Sequence, residues 1–453
     1  MLRFISCVCR EMDETIEYRV YRRRWLQLLI YFLATFTNAI HNMTFAPIQS
    51  ETSEFFHITT TQVNALAIVF QFFYVLGTIL SIWIYRVSTL RMGMLIGSIF
   101  NLGVFIRLFA LITPSQGYAA LIIGQILPAI ATPIFMNITA LFAARWFAPK
   151  QRDLATSIGS MANPLGLAIG SLIPSLIVTK DYSSRSFFIL LIVEAVFTAV
   201  ISVLVIVICR SEPPTPTSSI EQQQQNLPLK LKENFLNLVK NRHYLILLFS
   251  FSIGLALFCA ITSLLAQLVE PTGYSSDDAG IFGAIIIIVG LISAFLVGLI
   301  MDRTHAYRLI LKILLTGACA SAIYFVLILQ PNKFYPLAVS IGLMGFFLLP
   351  MLPVSFECAV ECTYPIRAEW STALLLCIGN VLGGVFILIL GHLITLSPLT
   401  TSGIIITPAS IFILCCFIIA AIVLYGYRGP YLRLESERQA CQASTNDTAM
   451  LSL

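Results

Sequence analysis

The chain has 453 residues, of which 58% are hydrophobic and only 11% charged, against about 25% charge in an ordinary soluble domain. That is too little charge for water-facing domains and too much apolar and aromatic content for disorder, so most of the chain is solvated by lipid. The net charge of +5 matters less than where the basic residues fall.

In chain order, the first 24 residues are polar, and Arg22, Arg23 and Arg24 run straight into the first apolar stretch. They read as the flank of a transmembrane helix and not as a cleavable leader. Apolar runs then fall near 25–48, 60–85, 89–112, 117–145, 151–178 and 186–209. A polar linker follows at about 210–242, with a proline-rich start (Ser211 to Pro216), a glutamine tract (Gln222 to Gln225) and spaced leucines from Leu229 to Val239 that predict a short amphipathic surface helix. Six further runs lie near 243–269, 277–301, 307–329, 334–358, 367–395 and 402–427. Backbone amides in lipid must bond within their own segment, so these runs are helices, here called spans one to twelve. A polar tail from 428 to 453 closes the chain. Cysteines in apolar segments pack as hydrophobes, Cys7 and Cys9 are candidates for acylation, and no metal or other cofactor is expected.

Alternation of twelve spans puts 23 of the 27 Lys and Arg residues on the side that holds both termini and the linker. The positive-inside rule makes that side cytoplasmic. A shift of 217 residues carries Arg86 onto Arg303, Arg91 onto Arg308, Pro133 onto Pro350, and Asn163-Pro164-Leu165-Gly166 onto Asn380-Val381-Leu382-Gly383. This is a parallel repeat. It predicts two pseudo-symmetric six-helix bundles (25–209 and 243–427) with a solute site between them near the midplane.

That all-α, twelve-helix architecture resembles the major facilitator superfamily. Gly298-x-x-x-Asp302-Arg303 matches the superfamily's G-x-x-x-D-R at the end of span eight. There the aspartate faces a helix N-terminus and latches one state of a rocking cycle. Arg308 belongs to the same latch, with Arg86 and Arg91 as first-half counterparts. Tyr85 replaces the first-half aspartate, so only the second latch is expected to be complete.

Asn38 to Ile48 in span one, Trp146-Phe147-Ala148-Pro149, Ser160 to Gly166, and Ala359 to Pro365 are similar to the family typified by the feline leukaemia virus subgroup C receptor, solute carrier family 49. The Ser211 to Pro216 segment resembles its branch called major facilitator superfamily domain-containing protein seven. The resemblance implies a carrier of choline, ethanolamine, haem or a pyridoxine-like vitamin. It implies a monomer in the lipid bilayer that binds no nucleic acid and catalyses no reaction. Choline-handling members are similar in placing a Trp at the position of Asn42 and a Tyr at that of Cys259. Both are missing here, and the family's span-five glutamine falls on Pro164. Phe36, Phe45, Phe258, Phe346 and Phe347 are candidates for a replacement aromatic wall.

Polar groups inside lipid are costly and tend to line cavities. His41 and Asn42 (span one), Asn163 (span five), Phe258 and Cys259 (span seven) and Asn380 (span eleven) form a ring related by the 217-residue offset. Gln125 and Gln267 are more peripheral. No Asp or Glu lies near the middle of spans one, four, seven or ten. The expected mechanism is therefore uniport, with proton coupling through His41 or Glu194 as the alternative. Arg107, the deep base, is expected to snorkel outward. Gly166-x-x-x-Gly170 and Gly379-x-x-x-Gly383 are either hinges of rocking or close-packing contacts. Tyr431-Leu432-Arg433-Leu434 has the form of a tyrosine-based sorting signal, so plasma and endolysosomal membranes are both open, the former preferred.

Overall fold

The computed structural model describes residues 21–178, 184–215, 231–269, 272–274, 276–394, 396, 399–401, 404–436 and 438–439. Cys7, Cys9 and the Gln222 to Gln225 tract lie outside them. The first half contains Arg23–Asn42, Gln49–Phe56, Thr60–Val87, Leu90–Asn101 continued as a tighter helix over Leu102–Leu111, Tyr118–Met136 with Thr139–Trp146, Pro149–Ile177 and Ser184–Ile208. After the linker helix Leu231–Lys240, the second contains Arg242–Val269, Ser276–Thr304, Tyr307–Ile328, Phe334–Leu348 with Met351–Thr363, Ala368–Ile394 and Pro408–Tyr425. Ten of the described helices are long and apolar enough to cross a membrane. Span one buries the polar residues Gln27, Thr35, Thr37, Asn38 and His41. The lipid-facing surface is aliphatic, for example Ile79, Leu176, Val207 and Ile422.

Local chemistry sets the helix ends. Span one stops at Asn42 and not at Ile48 as the apolar run suggested. Met43 N–H turns back to Ile40 O at 3.1 Å, and Pro47 cannot continue a helix. A short helix, Gln49–Phe56, follows that the hydropathy pattern did not predict. Span twelve begins at Pro408, six residues later than expected, because the preceding segment forms the hairpin Leu399–Thr401 with Ile404–Ile406. The run Ile404-Ile405-Ile406 favours a strand. Thr407 Oγ1 then caps the helix by accepting from Ser410 N–H at 3.1 Å, with Pro408 in the first turn. The linker helix buries Leu238 and leaves Phe235, Leu236 and Val239 exposed.

The offset of 217 is visible in the packing. Span four breaks at Asn137-Ile138 and span ten at Leu349-Pro350, close to the matched prolines Pro133 and Pro350. Glycines let span five reach span one: a methyl at Gly166 would collide with the Phe36 carbonyl, and one at Gly170 would sit 2.7 Å from the Ile40 carbonyl. Span eleven reaches span seven in the same way, with Gly379 against Leu255 and Gly383 against Cys259. All four glycines thus pack inside their own half. They do not face the opposite half, which corrects the hinge reading. Two glycines do face across: Gly298 of span eight, where a methyl would sit 2.6 Å from Ser157 Oγ of span five, and Gly384 of span eleven, where it would meet Gln71 of span two at 3.4 Å.

Candidate substrate cavity and gate

A central cavity of 860 Å³, solvent-open part included, lies between the halves. Both halves line it: Asn42, Phe70, Gln71, Tyr74, Thr132, Met136, Asn163 and Pro164 from the first, Phe251, Phe258, Cys259, Met351, Leu376 and Asn380 from the second, with smaller apolar contributions. Five of the six ring positions read from the sequence meet here: Asn42, Asn163, Phe258, Cys259 and Asn380. None of the lining residues is charged. Asn380 Nδ2–H donates back to Leu376 O at 2.8 Å. A carbonyl can only accept, so the Asn380 amide oxygen is left for the cavity. Gln71 Oε1 is buried without a hydrogen-bond partner.

Three sequence candidates lie elsewhere. His41 is fully buried and turns away from the cavity into the first bundle. Gln125 is buried beside it, donating to the carbonyl of His41 at 3.1 Å. Gln267 is exposed near the end of span seven. The expected aromatic wall is also different. Phe45 lies over Arg107, Phe36 packs on Phe32 and Phe197, and Phe346 pairs with Phe347. The rings lining the cavity are Phe70, Tyr74, Phe251 and Phe258. Span two supplies Phe70, Gln71 and Tyr74, which the sequence reading passed over. Their signal was present: Gln71 and Tyr74 stand one turn apart in an otherwise apolar run, on one helical face.

His41 belongs to a closed network. Arg107 does not snorkel; it is 0% exposed. Its Nη2 donates to Glu194 Oε2 at 2.9 Å and to His41 Nδ1 at 3.3 Å. Its Nη1 donates to Thr44 Oγ1 at 3.2 Å and Gln125 Oε1 at 3.4 Å, and its Nε to Val104 O at 3.4 Å. All five guanidinium N–H groups are thereby used. Thr198 gives its one hydroxyl proton to Glu194 O at 2.7 Å. His41 Nε2 must therefore donate to Thr198 Oγ1, 2.9 Å away. A neutral imidazole, accepting at Nδ1 from Arg107, fits this pattern and leaves one cation and one anion that cancel; Nδ1 also lies 3.4 Å from Glu194 Oε2.

The halves are joined at the linker face. Asp302 accepts from the backbone N–H groups of Asp153 at 3.0 Å and Leu154 at 3.2 Å, near the start of span five, as a latch aspartate should. Tyr307 OH donates to Asp153 Oδ2 at 2.8 Å, and Thr156 Oγ1 to Glu357 Oε1 at 2.8 Å. His305 Nδ1 lies 3.6 Å from Asp153 Oδ2. The neighbouring Asp153 carboxylate raises the His305 pKa above its ordinary value of 6.5. Nearer the cavity, Thr372 Oγ1 donates to Asn137 O at 2.8 Å, and Asn137 Oδ1 accepts from Tyr74 OH at 3.0 Å. One chain of hydrogen bonds thus runs from the cavity lining to the interface between halves.

The other latch residues behave differently from one another. Arg303 and Arg86 are exposed. Arg308 stacks on the Tyr431 ring at 4.4 Å, and Arg91 Nη2 donates to Ile206 O at 3.0 Å. In the first half, Tyr85 OH donates to Ile134 O at 2.8 Å inside its own bundle, so no counterpart of Asp302 crosses there. Among the described residues, Asp302 reaches the opposite half and its offset counterpart Tyr85 does not.

Two repeated halves of membrane helices, a central cavity lined from both and contacts that join them at one face are the arrangement of a membrane carrier. Comparison with known proteins agrees. Residues 28–365 match the model of the Major Facilitator Superfamily. The chain is 31% identical to solute carrier family 49 member A3 of Xenopus tropicalis over 395 residues, covering 85% of this chain and 81% of that one. It is 27% identical to the choline/ethanolamine transporter FLVCR1 of Mus musculus over 396 residues, covering 82% and 70%. Among solved structures, the crystal structure of FucP, a superfamily transporter in the outward conformation, superposes with a TM-score of 0.70 at 14% identity, over 90% of this chain and 100% of that one, which shows the fold. The chain belongs to the major facilitator superfamily and, within it, to the feline leukaemia virus subgroup C receptor-related family, solute carrier family 49. Members of this family are transporters and not enzymes.

Proposed function

We propose that this protein moves a small, hydrogen-bonding organic solute across a membrane by alternating access, as a uniporter. The observation that carries this reading is the uncharged cavity, lined from both halves by amides and aromatic rings and closed at one face by the latch. An ethanolamine-like amino alcohol suits it better than choline. Its ammonium N–H groups and hydroxyl can donate to the free oxygens of Gln71 and Asn380, with Asn42 and Asn163 close by. A quaternary ammonium has no N–H to give and depends on an aromatic cage, which Asn42 and Cys259 do not supply. Haem is disfavoured because His41, the histidine among the candidate cavity residues and so the one available to ligate iron, faces away from the cavity.

The same geometry supports uniport. The two deep charges, Arg107 and Glu194, neutralise each other away from the cavity, and the hydrogen-bond pattern around His41 is complete with a neutral ring. The solute pathway therefore offers no obvious proton carrier. The distribution of the basic residues supports a cytoplasmic linker face, and we assign the protein to the plasma membrane.

The test is uptake into proteoliposomes with ethanolamine, choline, pyridoxine and haem offered in parallel. Ethanolamine is expected to be moved fastest, and Asn380→Ala and Asn42→Ala to impair whichever solute is moved. If neither variant impairs uptake, the cavity is not the site. Strong acceleration by an imposed pH gradient would overturn uniport.

A further inference from the structure

The carboxylates of Glu357 and Glu361 stand one turn apart on span ten at the linker face, 0% and 2% exposed. A major counter-ion comes from the chain's tail. Arg433 Nη2 donates to Glu357 Oε2 at 2.8 Å, and Arg433 Nε lies 3.2 Å from Glu361 Oε1. The backbone N–H of Leu434 donates to Glu361 Oε2 at 3.1 Å. Arg433 is itself only 5% exposed. On either side the tail is pinned by aromatic side chains. Tyr427 OH donates to Cys358 O at 3.2 Å. Tyr431 covers Arg308, accepts from its backbone N–H at 3.2 Å and packs against Tyr307.

Two of the residues the tail holds take part in the closure. Glu357 is the acceptor for Thr156 of the opposite half, and Tyr307 is the donor to Asp153 of the opposite half. Arg308 belongs to the latch segment. The tail thus holds the second-half members of the gate in the geometry that meets the first half. The same docking puts Leu432, Arg433 and Leu434 in helical conformation with the Tyr431 ring engaged, so the tyrosine-based pattern is not presented as an extended strand while the gate is shut.

We infer that residues 427–436 are a strap that stabilises the linker-closed state, with Arg433 as its anchoring cation. Without Arg433, Glu357 is left buried and short of charge compensation, which is costly. The cost is relieved when the halves part and water reaches the carboxylate. The strap therefore biases the transport cycle toward the state shut at the linker face, and its release accompanies opening.

The strap rests on the alternating-access reading, so its test reports the state directly and uses no solute. Spin labels are placed at Glu54 and Gln267, exposed positions on the two halves at the face opposite the linker. Distances between them are measured on the full chain in lipid nanodiscs. The wild type should favour the longer distance. Arg433→Gln should shift the ratio of long to short distances about tenfold toward short, Tyr431→Ala by less, and Arg433→Lys least, since Lys keeps the charge but loses the planar fork. In a Glu357→Gln, Glu361→Gln background the Arg433→Gln shift should shrink severalfold, because there is no anion left to compensate; a tail that merely unfolds would give the same shift in both backgrounds. An unchanged distribution in Arg433→Gln and Tyr431→Ala, with Asp302→Asn still shifting it, overturns the strap. If Asp302→Asn also leaves it unchanged, alternating access about this gate is what fails.

Discussion

The two halves share a fold and a repeat, yet they differ in where they bury charge away from the linker face. The first half carries an ion pair inside its bundle, where Arg107, Glu194, His41, Thr44 and Gln125 tie spans one, three, four and six together, in addition to Arg145, Arg152 and Asp153 buried toward the linker face. The 217-residue offset carries these five onto Tyr324, Ile411, Phe258, Ile261 and Gly342, which carry no charge. The second half places its charge at the linker face, in Asp302, Glu357 and Glu361. The reverse offset lands these on Tyr85, Ala140 and Ala144. A cancelled ion pair in the bundle interior pins helices that move as one body. Carboxylates at the interface can be matched in one state and wetted in the other. The first half reads as the rigid partner, the second as the one that carries the switch.

The sharpest way to break this contrast is to break the interior pair. Removing one member of a buried ion pair costs about 3–5 kcal/mol, and replacing both by apolar groups costs far less. Glu194→Gln and Arg107→Met alone should each lower the unfolding temperature of the purified protein and its folded yield more than any gate substitution. The double variant Arg107→Met, Glu194→Met should recover much of the loss. If the double variant is as poor as either single one, the network does more than pin the bundle, and a role in the transport cycle has to be reconsidered.

At the gate the expected effect is smaller and falls on the state of the protein, not on its folding. Asp302 as a carboxylate accepts two backbone N–H groups, and charge-assisted bonds contribute about 1.5–3 kcal/mol each. Asp302→Asn keeps one acceptor oxygen and loses the charge. It should leave the unfolding temperature within a few degrees of the wild type while slowing uptake by about tenfold. A large fall in folding stability would mean that the latch is a structural anchor.

How far the sequence revealed these regions follows from what each depends on. Spans and repeat depend on composition and spacing, both local, and were legible. The ring residues Asn42, Asn163, Phe258, Cys259 and Asn380 were legible because a polar or paired position in an apolar span must face inward. His41 was misplaced because adjacent residues on a helix point about 100° apart; Asn42 faces the cavity, so His41 faces the bundle. Arg107 looked free to snorkel because its partner, Glu194, is 87 residues away in sequence. The hairpin before span twelve was hidden in a run whose hydropathy suits a helix equally well. The tail's role was hidden for the same reason as the Arg107 pairing: Arg433 meets Glu357 only through the fold.

The cavity tests whether the second half reads the solute as well as carrying the switch. Gln71 from the first half and Asn380 from the second each offer an amide oxygen. Losing one such contact to a bound donor costs about 1–3 kcal/mol. Gln71→Leu and Asn380→Ala should each raise the KM for the transported amine by roughly tenfold, with a smaller change in maximal rate. An effect confined to Asn380 would make the second half the sole reader.

The smallest effect is a pH dependence of the gate, and its sign is fixed by His305. This residue lies outside the spans, at the turn between spans eight and nine, facing Asp153 and the Tyr307 hydroxyl, with Asp302 and Glu361 near enough to favour its charged form. Its pKa in the closed gate is raised above 6.5. The charged ring then favours closure in full below that ordinary value, and the contribution is lost as pH rises through the raised value. The labelled protein should therefore lose part of its linker-closed population between about pH 6 and pH 8. The change should be modest, about twofold, because the side chain is 29% exposed and solvent screens the pair. His305→Gln should flatten the curve. If the curve keeps its slope in that variant, the titrating group lies among the gate carboxylates, and the second half switches on its acids alone.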